Sequence, residues 1–299
     1  MFLKTASSLV AGGIALAALS NAPASAQTFS AVTYATTSAA SNQFLSVSGA
    51  DGTAAQTGSL GAGVTPDGLA SYNGGLYTFD TSTSSLLELN ALTGATLASY
   101  SVGIPGAVAP GGLAISSSGL VFLADPLSSS TQAAPASTLY AFGVTGGSAF
   151  QVGTTNDLLS ALAFNAGDTL YGLGKGDGSL YTINTANGSG SLIGNLDPAA
   201  NTPGVFNTIG QSDIAALTFS GSTLYAAADD SLYTVSTTTG AATAVAPSLA
   251  GTGFGGSFYN VSGLAPAAVP EASTMVSFGL LLVLLTAGVV AARRKRIAL

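Results

Sequence analysis

The stretch 161–194, ALAFNAGDTLYGLGKGDGSLYTINTANGSGSLIG, is repeated in outline by residues 216–245, ALTFSGSTLYAAADDSLYTVSTTTGAATAV. Each copy contains four short segments in which apolar and polar residues alternate. The segments are joined by connections that contain Gly, Asn or Asp. Alternation with a period of two predicts β-strands, and such connections predict tight turns. The two copies therefore predict a repeated unit of four antiparallel strands.

Looser copies of this unit occur earlier in the chain, beginning at Gly68-Leu69-Ala70 and at Gly112-Leu113-Ala114. Successive turn glycines are 42, 52, 42 and 52 residues apart: Gly52, Gly94, Gly146, Gly188 and Gly240. This spacing is on the scale of one four-stranded propeller blade, about 40–50 residues. The repeat therefore predicts a β-propeller built from several such blades.

The dipeptide Leu-Tyr marks the strands of the repeat and occurs six times, at residues 76, 139, 170, 180, 224 and 232 for the leucine. Adjacent residues of a strand point to opposite faces of its sheet. We therefore expect these pairs to be structural. One side chain would pack between blades and the other would face a neighbouring strand.

The two ends of the repeat region indicate how the ring closes. Val32-Thr33-Tyr34 matches the second strand of a unit, and the missing first strand appears at residues 261–265. The pattern resembles the broad family of β-propellers with a Leu-Tyr-x-Ile/Val-Asn/Asp-x-x-Thr-Gly strand and turn. It predicts an all-β ectodomain of about five four-stranded blades over residues 27–268, with six or seven blades as the alternative if a degenerate copy of the unit is hidden. A parallel β-helix or a β-sandwich remains an alternative, although a β-helix would show periods nearer about 20 residues.

The N-terminal region, residues 1–26, is typical of a secretory signal peptide. Lys4 supplies the charged segment, and the apolar segment from Leu9 to Leu19 is too short to span a bilayer. Ala24 and Ala26 form the small-x-small cleavage pattern, which makes Gln27 the expected mature N-terminus. An uncleaved N-terminal anchor is the alternative.

The C-terminal region predicts a transmembrane helix over residues 275–292. The segment from Met275 to Ala292 has no charged residue, and at about 1.5 Å per residue it would approach the thickness of the hydrocarbon core. Four basic residues follow it directly: Arg293, Arg294, Lys295 and Arg296. By the positive-inside rule these cations hold the C-terminus in the cytoplasm and leave the ectodomain outside the inner membrane.

The motif Val269-Pro270-Glu271-Ala272-Ser273, followed by this helix and basic end, resembles the PEP-CTERM sorting signal of Gram-negative bacteria that make exopolysaccharide. The resemblance covers residues 269–299 and departs from the fuller motif at Ala272, where a second Pro is common. It implies recognition by an exosortase, cleavage near Pro270-Glu271, and transfer to the outer surface or the extracellular matrix. Without cleavage, the tail would be a simple membrane anchor.

The charge balance excludes several classes of function. Only 6% of the 299 residues are charged, against roughly 25% in ordinary globular proteins. The ectodomain carries twelve acidic residues and one basic residue, Lys175, so that it has no basic surface for nucleic acid. The chain lacks His and Cys, which removes Ser–His and Cys–His catalysis, disulfides and most transition-metal sites.

Carboxylates are the remaining source of chemistry. Loop aspartates could hold Ca²⁺, which prefers oxygen ligands, and the candidates are Asp229, Asp230, Asp51 and Asp80. No EF-hand or nonapeptide calcium repeat supports them. We therefore predict no catalytic residue and no required cofactor, with calcium as a secondary possibility.

These observations predict a non-enzymatic, exported surface or matrix protein whose propeller serves as a binding or scaffold module. Its expected partners are the secretion machinery, an exosortase, the inner membrane before cleavage, and exopolysaccharide or another component of a biofilm matrix. Two alternatives stay open. One is a propeller hydrolase or lyase that depends on carboxylates or calcium, and the other is a periplasmic sensor that stays anchored in the membrane.

Overall fold

The structure is a computed structural model that describes residues 27–33, 42–106, 108–109, 111–126, 136–175, 178–196, 215–228, 231–246 and 261–267. The described residues form twenty β-strands and no helix. The strands are β1 Thr28–Thr33, β2 Gln43–Ser48, β3 Ala54–Ser59, β4 Pro66–Tyr72, β5 Gly75–Asp80, β6 Ser85–Leu89, β7 Thr96–Gly103, β8 Leu113–Ile115, β9 Leu120–Asp125, β10 Thr138–Gly143, β11 Gly146–Thr154, β12 Leu159–Phe164, β13 Leu170–Gly174, β14 Ser179–Ile183, β15 Gly190–Asn195, β16 Ala216–Ser220, β17 Thr223–Ala228, β18 Ser231–Val235, β19 Ala242–Ala246 and β20 Val261–Pro266.

These strands pair into five antiparallel units of four, which we number as blades. Blade 1 has the strand order β20-β1-β2-β3, and blades 2 to 5 consist of β4–β7, β8–β11, β12–β15 and β16–β19. The outer strands β7 and β11 also pair in parallel, at Val102–Gly147 and Gly103–Ser148. Blades 2 and 3 therefore share one eight-stranded sheet.

The blades close into a ring. The first strand of each blade contacts the first strand of the next, in the order β20, β4, β8, β12, β16 and back to β20. Five apolar clusters make up the core, and each lies between two neighbouring blades, including blades 5 and 1. This arrangement is propeller-like, as the repeat predicts, and five four-stranded blades are present among the described residues.

The closure of the ring follows the sequence prediction. Strand β20, near the end of the described chain, pairs antiparallel with β1, near its start, and sets Ala31 opposite Leu264. The hydroxyl of Ser262 in β20 also donates a hydrogen bond to the Pro66 carbonyl of blade 2, at 3.0 Å. The first and last described strands are therefore paired with each other in the sheet of blade 1.

The two residues of each Leu-Tyr pair pack in different interblade clusters of the core. In all six pairs the leucine belongs to one interblade cluster and the tyrosine to another, as Leu170 and Tyr171 show. We expected one residue of each pair to pack between blades and the other to face a neighbouring strand. Both residues instead pack between blades, on opposite sides of their own blade. Both sides of a blade face another blade in a propeller, so both residues of the dipeptide pack against a neighbouring blade.

The turn glycines of the repeat all have positive φ, from 68° at Gly52 to 79° at Gly188. These turns also hold neighbouring blades together. A Cβ atom at Gly194 of blade 4 would lie 2.0 Å from the Thr239 carbonyl oxygen of blade 5, and Gly153 of blade 3 stands in the same relation to Asn187 of blade 4. Each of these glycines therefore allows the turn of the next blade to approach the outer strand closely.

The first strands of the blades (β20, β4, β8, β12 and β16), which we call the inner strands, have their two ends on opposite faces of the ring. The start face carries the first residues of these strands, such as Pro66, Leu159 and Val261, and the end face carries their last residues, such as Phe164 and Pro266. Residues 1–26 and 268–299, with the predicted signal peptide, sorting motif, transmembrane helix and basic tail, lie outside the described residues. In the described part of the chain, no helix is long and apolar enough to cross a membrane.

Candidate functional site

The axis of the ring is closed by small residues. The positions that precede the equivalent leucines of the inner strands are Gly68, Gly112, Ala161, Ala216 and Gly263. A Cβ atom at Gly68 would lie 2.4 Å from the Leu113 nitrogen, and one at Gly263 would lie 2.6 Å from the Gly68 carbonyl carbon. The strands approach so closely that no water molecule fits between them at this level. The axis is therefore a packed core and not a channel at this level.

A small cavity opens on the end face beyond this layer. Its volume is about 90 Å³, and its wall includes Ser71, Ile115, Phe164 and Phe219. Binding sites for small organic ligands usually have volumes of about 300–1,000 Å³. The cavity therefore has room for a few water molecules, but not for a substrate of ordinary size.

Three carboxylates are buried at the start face, Asp67, Asp80 and Asp125, and two of them contact the same segment of blade 3. Asp67, at the beginning of β4, is 1% exposed, and Asp125, at the end of β9, is completely buried. The Asp67 carboxylate accepts hydrogen bonds from the backbone N–H of Gly111 at 3.1 Å and of Gly112 at 3.0 Å. Asp125 accepts one from the Ala109 N–H at 3.2 Å. Both carboxylates thus hold the segment that leads into the inner strand of blade 3.

The electrostatic surroundings of Asp67 combine opposing effects. The pKa of Asp67 is raised to about 7. Burial is the main cause and the negative charge of Asp125 adds to it, while the two glycine N–H groups and the positive charge of Lys175 act in the opposite direction. A carboxyl with a pKa near neutrality is a common feature of catalytic sites, and also of structural networks. Both of its oxygens already accept backbone hydrogen bonds, and this arrangement favours a structural role.

The other start-face aspartates that the structure describes, Asp80 and Asp157, accept hydrogen bonds from backbone and hydroxyl groups. Asp80 accepts hydrogen bonds from Thr65 N–H at 2.8 Å, from Ser82 Oγ at 2.7 Å and from Thr83 Oγ1 at 2.6 Å. The carboxylate of Asp157 accepts one from the Tyr181 hydroxyl at 3.1 Å. These contacts stabilise the connections between strands in the same way as the aspartate side chains of ordinary turns.

The structure does not bring the described calcium candidates together. Asp51 lies in the turn between β2 and β3, where hydrogen bonds from the Ser48 side chain and from the N–H and hydroxyl of Thr53 lower its pKa. Asp80 lies at the opposite end of the strands of a different blade. Asp229 and Asp230 lie outside the described residues. Among the residues that the structure describes, no group of three or more acidic side chains is placed to hold a metal ion.

The remaining predicted sites fall outside the described residues. They are the cleavage residues Ala24 and Ala26, the sorting motif Val269, Pro270, Glu271, Ala272 and Ser273, and the basic residues Arg293, Arg294, Lys295 and Arg296. For these sites the sequence patterns stay predictions.

Sequence reasoning missed the buried pair Asp67 and Asp125. A signal for Asp67 existed in the repeat, because Asp67-Gly68-Leu69 stands where the equivalent inner strands have Ser160-Ala161-Leu162 and Ser262-Gly263-Leu264. A charged residue at a position occupied by serine in two other blades indicates a special contact. Its partners, two N–H groups more than forty residues away, become visible only in the folded chain.

No protein-family model matches the chain, and no curated protein sequence matches it. Among solved structures, the chain is similar to one in a nidogen/laminin complex, with 14% identity, coverage of 76% of this chain and 77% of that one, and a TM-score of 0.46. It is similar to a gluconolactonase from Xanthomonas campestris, with 13% identity, coverage of 73% and 75%, and a TM-score of 0.43. A hydrazine synthase from Kuenenia stuttgartiensis is also similar, with 13% identity, coverage of 59% and 47%, and a TM-score of 0.37. The fold assignment made above rests on the strand order and the closed ring themselves.

Proposed function

We propose that this protein is an exported, non-enzymatic binding or scaffold module of the cell surface or extracellular matrix. The observation that carries the proposal is the combination of a closed propeller-like ring with the sequence patterns at its two ends. In this proposal the chain leaves the cytoplasm by its signal peptide and is held in the inner membrane by the segment 275–292. An exosortase then cuts it near Pro270-Glu271.

The ectodomain chemistry supports a binding role over a catalytic one. The axis is filled by small residues, and the end-face cavity of about 90 Å³ is too small for an ordinary substrate. The buried carboxylates with described partners accept hydrogen bonds from backbone groups of neighbouring segments. In this proposal the propeller binds through its exposed loops, strands and interblade surfaces, as many repeat proteins do.

The outer strands suit contact with an uncharged partner. Strands β3, β7, β11, β15 and β19 contain no charged residue and are rich in Ser, Thr, Gly and Ala. They also expose the apolar side chains of Leu97, Phe150 and Leu192. An uncharged hydroxyl-rich surface binds by hydrogen bonds and apolar contact, which are weakly affected by salt. Such a surface is suited to polysaccharide or to other matrix proteins.

The sorting part of the proposal is tested by the mature C-terminus. Inner-membrane, outer-membrane and extracellular fractions would be separated, and the C-terminal peptide of the native protein would be identified by mass spectrometry. We expect a C-terminus near Pro270 in the outer or extracellular fraction. An intact chain that ends at Leu299 and occurs only in the inner membrane would contradict exosortase processing and favour an anchored sensor.

The matrix part is tested separately by a deletion strain. We expect the strain to show altered matrix content, adhesion or aggregation, with restoration by the full-length gene. A variant in which Pro270-Glu271 is replaced by Ala-Ala is the matched control. We expect it not to restore the wild-type matrix content, adhesion or aggregation. Unchanged matrix, adhesion and aggregation in the deletion strain would contradict the matrix role, whatever the C-terminus is.

A further inference from the structure

Three tyrosines and the single glutamate of the ectodomain lie together on one side of blade 2. We call Tyr72, Tyr77, Glu88 and Tyr100 the tyrosine cluster. Register places them on the same side, because Tyr77 is opposite Glu88 and Ala70 is opposite Tyr77, and Tyr72 is two residues beyond Ala70. All four side chains are half-buried, and they lie on the side of blade 2 that faces blade 3.

The cluster is connected internally. The Tyr100 hydroxyl donates a hydrogen bond to Glu88 Oε2 at 3.0 Å. Burial raises the pKa of Tyr77, and the nearby charge of Glu88 raises it further. The turn between β10 and β11 bounds the cluster on the side of blade 3, where a Cβ atom at Gly146 would lie 2.9 Å from Tyr100 Cβ.

Two of the rings are seated against glycines. A Cβ atom at Gly75 would lie 2.8 Å from the Tyr77 hydroxyl oxygen, and one at Gly119 of blade 3 would lie 2.7 Å from the Tyr72 hydroxyl oxygen. Each ring therefore occupies space that the Cβ atom of any residue other than glycine at position 75 or 119 would fill. Aromatic side chains fixed in this way lose little conformational entropy when a ligand binds.

The cluster retains unused hydrogen-bonding capacity. Within the described part of the chain, Tyr100 is the one hydrogen-bond partner of Glu88, and the hydroxyls of Tyr72 and Tyr77 have no hydrogen bond. One carboxylate oxygen can therefore accept hydrogen bonds, and two phenol groups can donate or accept them. The half-buried rings supply apolar surface beside these polar groups.

We propose that the tyrosine cluster is a binding site for a neutral saccharide. A sugar ring offers hydroxyl donors for the Glu88 carboxylate and an apolar C–H face for the tyrosine rings. The negative charge of Glu88 disfavours uronic acids and other anionic sugars at the same place. This inference rests on the proposed binding role and specifies its ligand class and location.

The other tyrosines of the repeat provide the matched control. Tyr171 occupies the same place as Tyr77 in the second strand of its blade, but it is buried against Phe219 with ring centroids 5.2 Å apart. Asp168 is an exposed acidic residue on the end face, outside the cluster, and it accepts a hydrogen bond from the Ser117 N–H at 2.8 Å. Tyr171→Phe and Asp168→Asn therefore make the same chemical changes as Tyr77→Phe and Glu88→Gln, but away from the proposed site.

The test measures binding of neutral gluco-, galacto- and manno-oligosaccharides to the purified ectodomain by calorimetry and by tyrosine fluorescence. Tyrosine fluorescence can be measured without overlapping tryptophan emission, because the chain has no Trp. We expect at least one neutral oligosaccharide to bind, with affinity unchanged between low and high salt. Tyr77→Phe and Glu88→Gln should each weaken it by about fivefold, and Tyr171→Phe and Asp168→Asn by less than about twofold. Circular dichroism and the melting temperature verify that each variant is folded.

Three outcomes would overturn the inference. Binding that is equally strong in Tyr77→Phe and Glu88→Gln would move the saccharide site elsewhere and leave the proposed binding function intact. If no neutral oligosaccharide binds, neutral saccharides are excluded as the ligand class of the cluster. The sorting proposal is unaffected by this result, because it is tested by the mature C-terminus alone. Binding of choline or of oligolysine that is lost at high salt would identify the cluster as a cation site instead.

Discussion

The start face and the end face are built from opposite ends of the same repeated strands, yet their chemistry differs. At the start face, Asp67 and Asp125 are buried and hydrogen-bonded to backbone N–H groups. At the end face, Phe164 and Phe219 help to enclose a small cavity. The comparison shows that the repeat determines the framework, whereas single departures from the repeat determine what each face can do.

One position of the repeat illustrates this division. Ser262 of blade 1 and Asp67 of blade 2 are equivalent, and each binds the backbone of the next blade. The serine donates one hydrogen bond to a carbonyl, while the aspartate accepts bonds from two N–H groups. A small change of side chain thus reverses the direction of the hydrogen bonds between blades.

The largest expected effect is the loss of the Asp67 contacts. Asp67→Ala leaves two N–H groups buried without an acceptor, and we expect the free energy of unfolding to fall by about 4 kcal/mol. Urea unfolding measures it. Asp168→Ala, at an exposed acidic residue of the end face, should cost about 1 kcal/mol or less. Equal losses in the two variants would show that the start-face carboxylate has no special structural role.

A second variant tests the contacts between blades. Gly194→Ala would bring a Cβ atom within 2.0 Å of the Thr239 carbonyl oxygen, and blades 4 and 5 would have to separate. We expect a loss of about 3 kcal/mol. Gly221→Ala is the control, because that glycine has φ of 59° but open space around it. Its cost should be the backbone strain alone, about 1 kcal/mol. A smaller loss in Gly194→Ala than in Gly221→Ala would contradict the close packing of the turn.

The third expected effect is a pH dependence that originates at the start face. Because folded Asp67 has a pKa of about 7 against a reference value of 3.8, unfolding releases its proton between these values. The free energy of unfolding therefore falls as pH rises through this window, by about 2–3 kcal/mol between about pH 5 and pH 7, and levels off above it. Chemical unfolding at several pH values in wild type and in Asp67→Asn measures the difference. An identical slope in both would assign the pH dependence to other groups.

The smallest expected effect concerns calcium. The described candidates Asp51 and Asp80 bind protein groups in separate connections, so we expect neither to recruit the ion. The melting temperature should then change by less than about 1 °C on addition of calcium or of a chelator. A larger stabilisation by calcium would point to Asp229 and Asp230, and the double variant Asp229→Asn, Asp230→Asn should abolish it.

Several elements could be predicted from the residues because their causes are local. The alternation at 216–219 and 231–235 predicts strands, and this prediction is confirmed. The turn glycines at 94, 188 and 240 mark turns of the repeat, and the structure gives each of them a positive φ. The closure through 261–265 could also be predicted, because a missing first strand must be supplied by the other end of the chain. The candidate site could not, since the tyrosine cluster depends on which sides of β4, β5, β6 and β7 face blade 3.

The repeat, the number of strands in each unit and the scarcity of charge follow from the amino-acid sequence alone, as do the patterns at the two ends from which export and sorting are predicted. Each of these depends on residue type and spacing along the chain. The folded chain is needed to see that the axis is closed at the level of the small residues, that β7 pairs with β11, and that Asp67 binds Gly111 and Gly112. These features arise from contacts between segments far apart in sequence, and local residue preferences carry no information about such contacts.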